Sequence, residues 1–494
     1  MAYLNGTEIT RANIGTPGVP PFFDENADTW REAQMYSGGS PEEFSNNLML
    51  ASLQTGNNVV AIQCHNYSPT SSDMTMIPFF TLGMSDEPTG ANGLADELEM
   101  TISPLHTNFS LSQSGEELLL SDQNGMLLDS LFTIGVPEDF SAGRYPDGSD
   151  NWMIMPLPTP GVTNDSQGYD GVVPEAEFGL PAGFYEDAIS ISLTCELGSA
   201  VIRYTSDGSE PDMSSAVYIV PFSLDETTVV KARTYYTGFL PGNIVTATYF
   251  VDDSSDLPVI SLSTEPDHFF DFNTGIYVMG PNASTDFPYF GANFWQDWER
   301  PLHLEFFETT GEKMYAANAG VKIYGGWSRG HPQKSLALYA RAEYGYSQFE
   351  YQFFENLPVD IFEAIVLRNS GNDWESSMIR DGMMTSLVKN ENIDLQAYRP
   401  AAVYLNGEYW GLYNIREKIN EHFIGSHHPV DPDDLHLLES DAYPIQGSAD
   451  DYNELISFID EQNIIDPENY EYVTSQMDID NFISYEISQI YFDN

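Results

Sequence analysis

Three stretches in the second half of the chain combine residue types and spacings that can do chemistry. In the first, residues 320–338, a strand enters a turn carrying Gly325 and Gly326, and a second strand leaves it with Lys334 near its start. Side chains alternate across a strand, so Lys334 shares the face of Leu336 and Leu338. An ammonium on an apolar face needs an anionic partner, and a phosphate bound under the turn would supply one. The alternative is a strand-edge lysine whose ammonium reaches water along its own stem. The second stretch is residues 366–374 and a helix from Ile379 onward. At about 100° per residue, Arg380 falls inside the apolar arc of Ile379, Met383, Met384 and Leu387, which predicts a buried structural ion pair. Asp381 falls just past the arc beside Val388. It either faces a cleft and holds Lys334, or it is structural as well. In the third stretch Asn406-Gly407 sets a type I′ turn between two strands. Parity then puts Glu417 on the face of Tyr413 and Ile415, where it can bond a ribose hydroxyl or a metal-bound water, or simply pair with Arg416 or Lys418.

The elements around these residues change character along the chain. Before residue 252 the pattern is all short strands and Gly/Asp turns. Helical spacing enters only with Ile379, Met383, Leu387 and Val388. Ser448-Ala449-Asp450-Asp451 is a capping box ahead of Leu455, Ile456 and Ile459, and Asp478 or Asp480 caps a last helix through Ile483, Ile487 and Ile490. Strands first and helices after is an α+β layout.

With 494 residues the chain exceeds the roughly 250–300 that one core supports, so two to four domains are expected. Hydrophobic residues at 41% and aromatics at 13% suffice for packed cores and exclude disorder of the whole chain. Seventy-five acidic against 18 basic residues give a net charge of −57, which repels phosphate backbones and excludes nucleic acid as a partner. The two cysteines, Cys64 and Cys195, lie far apart and set no disulfide or metal spacing. No apolar run is long enough for a membrane span. Residues 1–6 lack the basic and apolar regions of a signal peptide; Asn5-Gly6 instead predicts a hairpin, as if the chain begins inside a domain.

Residues 1–92 read as all-β, with a strand over 57–65 and another near 77–82. This part resembles the closing half of galactose-binding-like jelly rolls, and His65 is expected as a core residue. Residues 93–168 resemble a lamin-tail-like sandwich on the strength of 108–111, 115–120, Asp122-Gln123-Asn124-Gly125, 141–148, Trp152 and 158–164. Arg144 and Asp147 are expected there as a turn-locking ion pair. Residues 172–252 are similar to the chitobiase/hexosaminidase C-terminal sandwich, through Gly183-Phe184-Tyr185, 201–211 (Tyr204-Thr205-Ser206-Asp207-Gly208-Ser209-Glu210-Pro211 at its core), 229–233 and 248–250. A structural spacer accounts for it. The acidic run 252–256 is expected to be a linker.

Residues 256–494 resemble the CotH family, atypical protein kinases named for a spore coat protein. The resemblance rests on 257–261, 275–277, 298–301, 328–329, 332–335, 367–373, Arg380-Asp381 and 404–417, all in order. The chain is therefore expected to be multidomain: all-β sandwich modules followed by a truncated α+β protein-kinase-like domain. The resemblance implies transfer of the ATP γ-phosphoryl group to a protein hydroxyl, with Mg²⁺. Lys334 would contact the phosphates, Gly325 and Gly326 would admit them closely, and Asp381 and Glu417 would complete the nucleotide site. The base and metal-binding residues are expected after Asn494, leaving this stretch inactive alone. An extracellular or cell-surface location follows from the accompanying modules, with possible carbohydrate contact through them. A non-catalytic surface scaffold is the rival; a sugar-processing enzyme lacks a glycosidase-like carboxylate pair.

Overall fold

The computed structural model describes residues 1–16, 19, 21, 27, 52–53, 58–63, 116–132, 136–137, 140–159, 162–164 and 167–492. Two compact units are present, Met1–Leu111 and Ser112–Asn494. In the first, Ala2–Leu4 pairs antiparallel with Thr7–Thr10 and with Val60–Ile62. Asn5 and Gly6 take φ of 50° and 82°, the left-handed pair a type I′ turn requires. The readings at Cys64, His65 and 77–82 lie outside the described residues, as do those at 108–111 and 115.

The second unit opens with two hairpins, Glu117–Ser121 with Leu127–Phe132 and Ser141–Arg144 with Trp152–Met155. Arg144 does not pair with Asp147. Its guanidinium lies 2.5 Å from Asp129 and 4.8 Å from the Trp152 ring centroid, while Asp147 accepts the Asn164 amide. The neighbouring hairpin thus supplies the acid, which spacing within one turn could not indicate.

Next comes a sandwich. A five-stranded sheet runs in the order Ala216–Val217, Val201–Thr205, Thr228–Tyr235, Val245–Val251, Gly183–Tyr185, the last pair parallel. Two short pairs cover it, Ile189–Ile191 with Phe222–Leu224 and Ala176–Phe178 with Leu193–Cys195. Val230, Ala232 and Tyr249 fill the space between with Ile191 and Leu193. Thr228–Tyr235 is buried on both faces for most of its length, because its outer face is covered in turn.

The cover is a closed seven-stranded barrel. Its strands are β1 (Val259–Ser263), β2 (Arg300–Phe307), β3 (Lys313–Tyr324), β4 (Ser335–Tyr339), β5 (Ala364–Arg368), β6 (Tyr398–Leu405) and β7 (Glu408–Glu417). The order around the barrel is β1-β2-β3-β4-β5-β7-β6, and parallel pairing of β1 with β6 closes it. Alternate residues point inward: Leu262, Leu304, Ala319, Leu336, Leu338, Ile365, Val403 and Ile415. Outward residues of β1, β2 and β6 meet the sandwich. Phe250, Val259, Phe307, Ala402 and Tyr404 form one cluster, with Phe184 stacked on Phe250 at 4.3 Å. Each ring buried there contributes on the order of 2 kcal/mol. The 252–256 run is held at this junction, because Asp253 accepts from Tyr404 and Thr227.

Helices follow the barrel strands: α1 (Pro266–Phe270), inserted early, then α2 (Arg380–Leu387), α3 (Glu421–His427), α4 (Asp450–Glu461), α5 (Pro467–Ser475) and α6 (Ile479–Phe492). The Asp450 amide donates to Ser448 Oγ, and the Asn481 amide to Asp478, so both predicted helix starts have side-chain acceptors. The described architecture is mostly β with these few helices. The α2 expectation fails in one respect. Ile379, Met383 and Leu387 are 52%, 48% and 62% exposed, and the buried residue is Gly382, whose Cβ position would lie 2.5 Å from the Tyr398 ring. Arg380 is correspondingly an exposed side chain, 3.6 Å from Asp373.

Candidate functional site

Lys334 stands just before β4, and the alternation that sends Leu336 and Leu338 into the barrel also turns Lys334 inward. It is 5% exposed. The ammonium donates to the carbonyls of Arg329 at 2.8 Å and His331 at 2.9 Å, and sits 3.9 Å from the Phe294 ring centroid. It makes no ion pair among the described residues. Loss of hydration brings its pKa down to about 8. The ammonium therefore neither reaches bulk water nor meets a carboxylate: the loop above it folds two carbonyls onto it.

That loop is the glycine turn. Gly325 has φ of 98°, and a Cβ there would meet Ser328 Oγ at 2.8 Å. At Gly326 a Cβ would meet nothing within 4 Å, so its backbone borders open space. Arg329 fastens the turn from inside by donating to Gly325 O and to Phe294 O. A cavity of about 190 Å³ opens between Gly325, Gly326 and Ser328 on one side and Ser335, Arg368 and Asn372 on the other.

The 367–373 motif builds the far wall. Asn369, fully buried, bonds Ser335 Oγ, Gln333 O and the Gly371 amide. Ser370 and Gly371 both take positive φ, which turns the chain so that Asp373 caps the start of α2 through Ser377 and the Arg380 amide. The Ser377 hydroxyl is the main reason the Asp373 carboxyl is lowered to about 2.

Asp381 does not hold Lys334. Its Oδ2 lies 3.1 Å from Arg416 and 3.4 Å from Arg368. Both arginines project outward from β7 and β5, where α2 lies across them, whereas Lys334 points inward; the barrel wall separates the two. Arg368 and Arg416 each keep a buried Nε with no hydrogen bond. Arg368 is thus the cation that lines the cavity. It belongs to a quoted motif but received no role from sequence; the one signal was a charge ending the apolar run 364–367.

Glu417 is 2% exposed and sits at the other end of the barrel. Register puts Leu336, Leu367 and Ile415 in one row and Leu338, Ile365 and Glu417 in the next. Lys334 and Glu417 are therefore separated by about 13 Å of strand. The carboxylate accepts from the Ala397 amide at 2.8 Å and lies 2.8 Å from His427 Nε2. It pairs with neither Arg416 nor Lys418. His427 comes from α3, a partner that parity along one strand does not reveal.

The site residues named from sequence thus divide. Gly325 and Gly326 border one cavity with Lys334 folded behind them; Asp381 braces the outer wall; Glu417 belongs to a second cavity. A phosphate fits the first in part: an open glycine backbone and the Arg368 guanidinium line it, while the Lys334 ammonium lies behind the turn rather than in the lining. Among the described residues no group of three or more His, Cys, Asp or Glu is placed to hold a metal ion.

Residues 321–494 match the family described as CotH kinase protein, and residues 180–246 match the chitobiase/beta-hexosaminidase C-terminal domain. The chain therefore carries a CotH-family domain at its C-terminal end and a chitobiase-type domain in its middle. The CotH match begins inside β3, so it takes in the glycine turn, Lys334, Arg368, Asp381 and Glu417, while β1 and β2 precede it. A comparison with curated proteins finds no match. Among the described residues no helix is long and apolar enough to cross a membrane.

Proposed function

We propose that the CotH-family domain is a protein kinase that binds ATP with its phosphates over Gly325 and Gly326, against Arg368 and Lys334, and transfers the γ-phosphoryl group to a protein hydroxyl. The observation that supports it most is a buried lysine without a carboxylate partner among the described residues, folded behind an open glycine backbone that Arg368 faces. Lys334 is buried with carbonyl partners, and Arg368 turns its guanidinium to the cavity while its Nε faces Asp381 at 3.4 Å. An incoming phosphate would draw the ammonium off the Arg329 and His331 carbonyls. Magnesium is assigned no residue and no step. We further propose an extracellular or cell-surface location, with the β modules, lamin-tail-like and jelly-roll-like parts included, spacing or tethering the kinase. The chitobiase-type domain makes carbohydrate the partner to try first.

ATP binding to the 494-residue chain, followed by equilibrium dialysis, tests this. A charged hydrogen bond contributes about 1.5–3 kcal/mol, so Lys334→Ala and Arg368→Ala should each weaken binding about tenfold or more. Equal affinity in wild type and both variants refutes the site. A scaffold without catalysis is the second reading, favoured by the rigid docking of sandwich on barrel; it predicts no ATP binding at all.

A further inference from the structure

The larger cavity, about 370 Å³, lies at the Glu417 end of the barrel, between residues 358–364 and α3. Its volume is within the roughly 300–1,000 Å³ of small-molecule sites. The floor is apolar, with Val359, Phe362, Phe423 and Pro432 among its residues. Polar groups converge above it. His422 Nε2 is 2.5 Å from Glu363 Oε2, and Glu417 is engaged by His427 as described. Asp360 adds a third carboxylate at the rim. The lining holds a single Lys or Arg, Lys418, whose ammonium is turned toward the Tyr339 ring at 5.8 Å.

Three carboxylates against one lysine over an apolar floor select the sign and shape of a ligand. An anion would meet carboxylates whose partners are imidazoles, His422 on Glu363 and His427 on Glu417, on a chain of net charge −57. A wholly apolar ligand would bury Glu363 without replacing its lost hydration. Burial already pushes the Glu363 carboxyl up, as expected for an acid short of positive partners. Its one ion-pair partner among the described residues is an imidazole.

We propose that this cleft binds a small organic cation, an ammonium or guanidinium on a short apolar stem, with its head on Glu363 and Asp360 and its stem on Phe362 and Phe423. The site is separate from the glycine turn, about two residue rows along the strands, and stands whether or not the domain is a kinase. Titration calorimetry of the full chain with agmatine and with butylammonium tests it. Both should bind, more weakly at high salt, and 1-butanol, which lacks the charge, should not. Glu363→Gln and Asp360→Asn should each weaken binding about tenfold, with unchanged thermal midpoints showing that the barrel is folded. Should Glu363→Gln unfold, the exposed Asp360→Asn still decides. Absence of heat with both amines, or an affinity unchanged by these substitutions, overturns the proposal.

Discussion

Lys334→Met offers the most direct test of how the glycine turn is built. The substitution keeps an unbranched stem of similar length and removes the charge, together with the ammonium's approach to the Phe294 and Tyr277 rings. A fall in pKa from 10.5 to about 8 means that the charged form costs about 3 kcal/mol more in the folded barrel than in water. Against this, the carbonyls of Arg329 and His331 lose a donor. They lie on a half-exposed turn where water replaces part of the loss, so about 1–2 kcal/mol offsets the gain. The net expectation is a barrel about 1–2 kcal/mol more stable at neutral pH, measured by urea unfolding followed through tryptophan emission. The sign of the pH dependence is fixed by linkage. Between about 8 and 10.5 the unfolded chain holds the Lys334 proton and the folded chain does not, so wild-type stability gained from this group rises with pH through that window. The advantage of the variant should therefore shrink as pH rises through it. A variant destabilised by more than about 2 kcal/mol at neutral pH, with no pH-dependent gap, would show that the ammonium is a structural clasp, and the phosphate reading would fail with it.

Two further outcomes follow from the same geometry. Asp381→Ala removes the carboxylate paired with Arg416, which is 2% exposed; because Asp381 is itself about one-third exposed, the expected loss is about 2 kcal/mol rather than the 3–5 of a fully buried pair, measured by chemical denaturation, and no loss would mean that α2 does not brace the wall. His303, whose Nε2 is buried without a bond beneath the sandwich, has its pKa lowered by burial against the weaker opposing pull of Glu305, with Asn318, Lys231 and Lys313 also facing it. Stability should be full above the unfolded value of 6.5 and fall as pH drops below it, and His303→Asn should flatten this acid limb; an unchanged acid limb would exclude His303 as its source.

What the sequence made legible was local. Asn5-Gly6 and Asn406-Gly407 give hairpins because their left-handed backbone angles are a property of two residues. Lys334 falls on the face of Leu336 and Leu338 because alternation needs no knowledge of neighbours. Charge partners were not legible, since they depend on which strand lies alongside. Asp381 meets Arg368 and Arg416 on the outer face of the barrel, from two different strands, and Arg144 meets an aspartate of another hairpin. Closure of the barrel rests on β1 lying parallel to β6, a pairing with no local signature. The α2 wheel erred because it counted large apolar residues as the contact face; the close approach is made by Gly382, which carries no side chain to count. The carboxylate-lined cleft escaped notice for a similar reason: Glu363, Glu417 and His422 come from three separate elements.

The docked sandwich has a mechanical consequence. The chain passes from Val245–Val251 straight into β1 through a segment pinned by Asp253, and the rings of Phe184, Phe250 and Phe307 interlock on either side of that passage. Tension arriving from upstream would load this aromatic lock in shear before it reached the barrel's backbone ladder. The glycine turn, on the opposite wall, would be the last part of the barrel to feel such a pull.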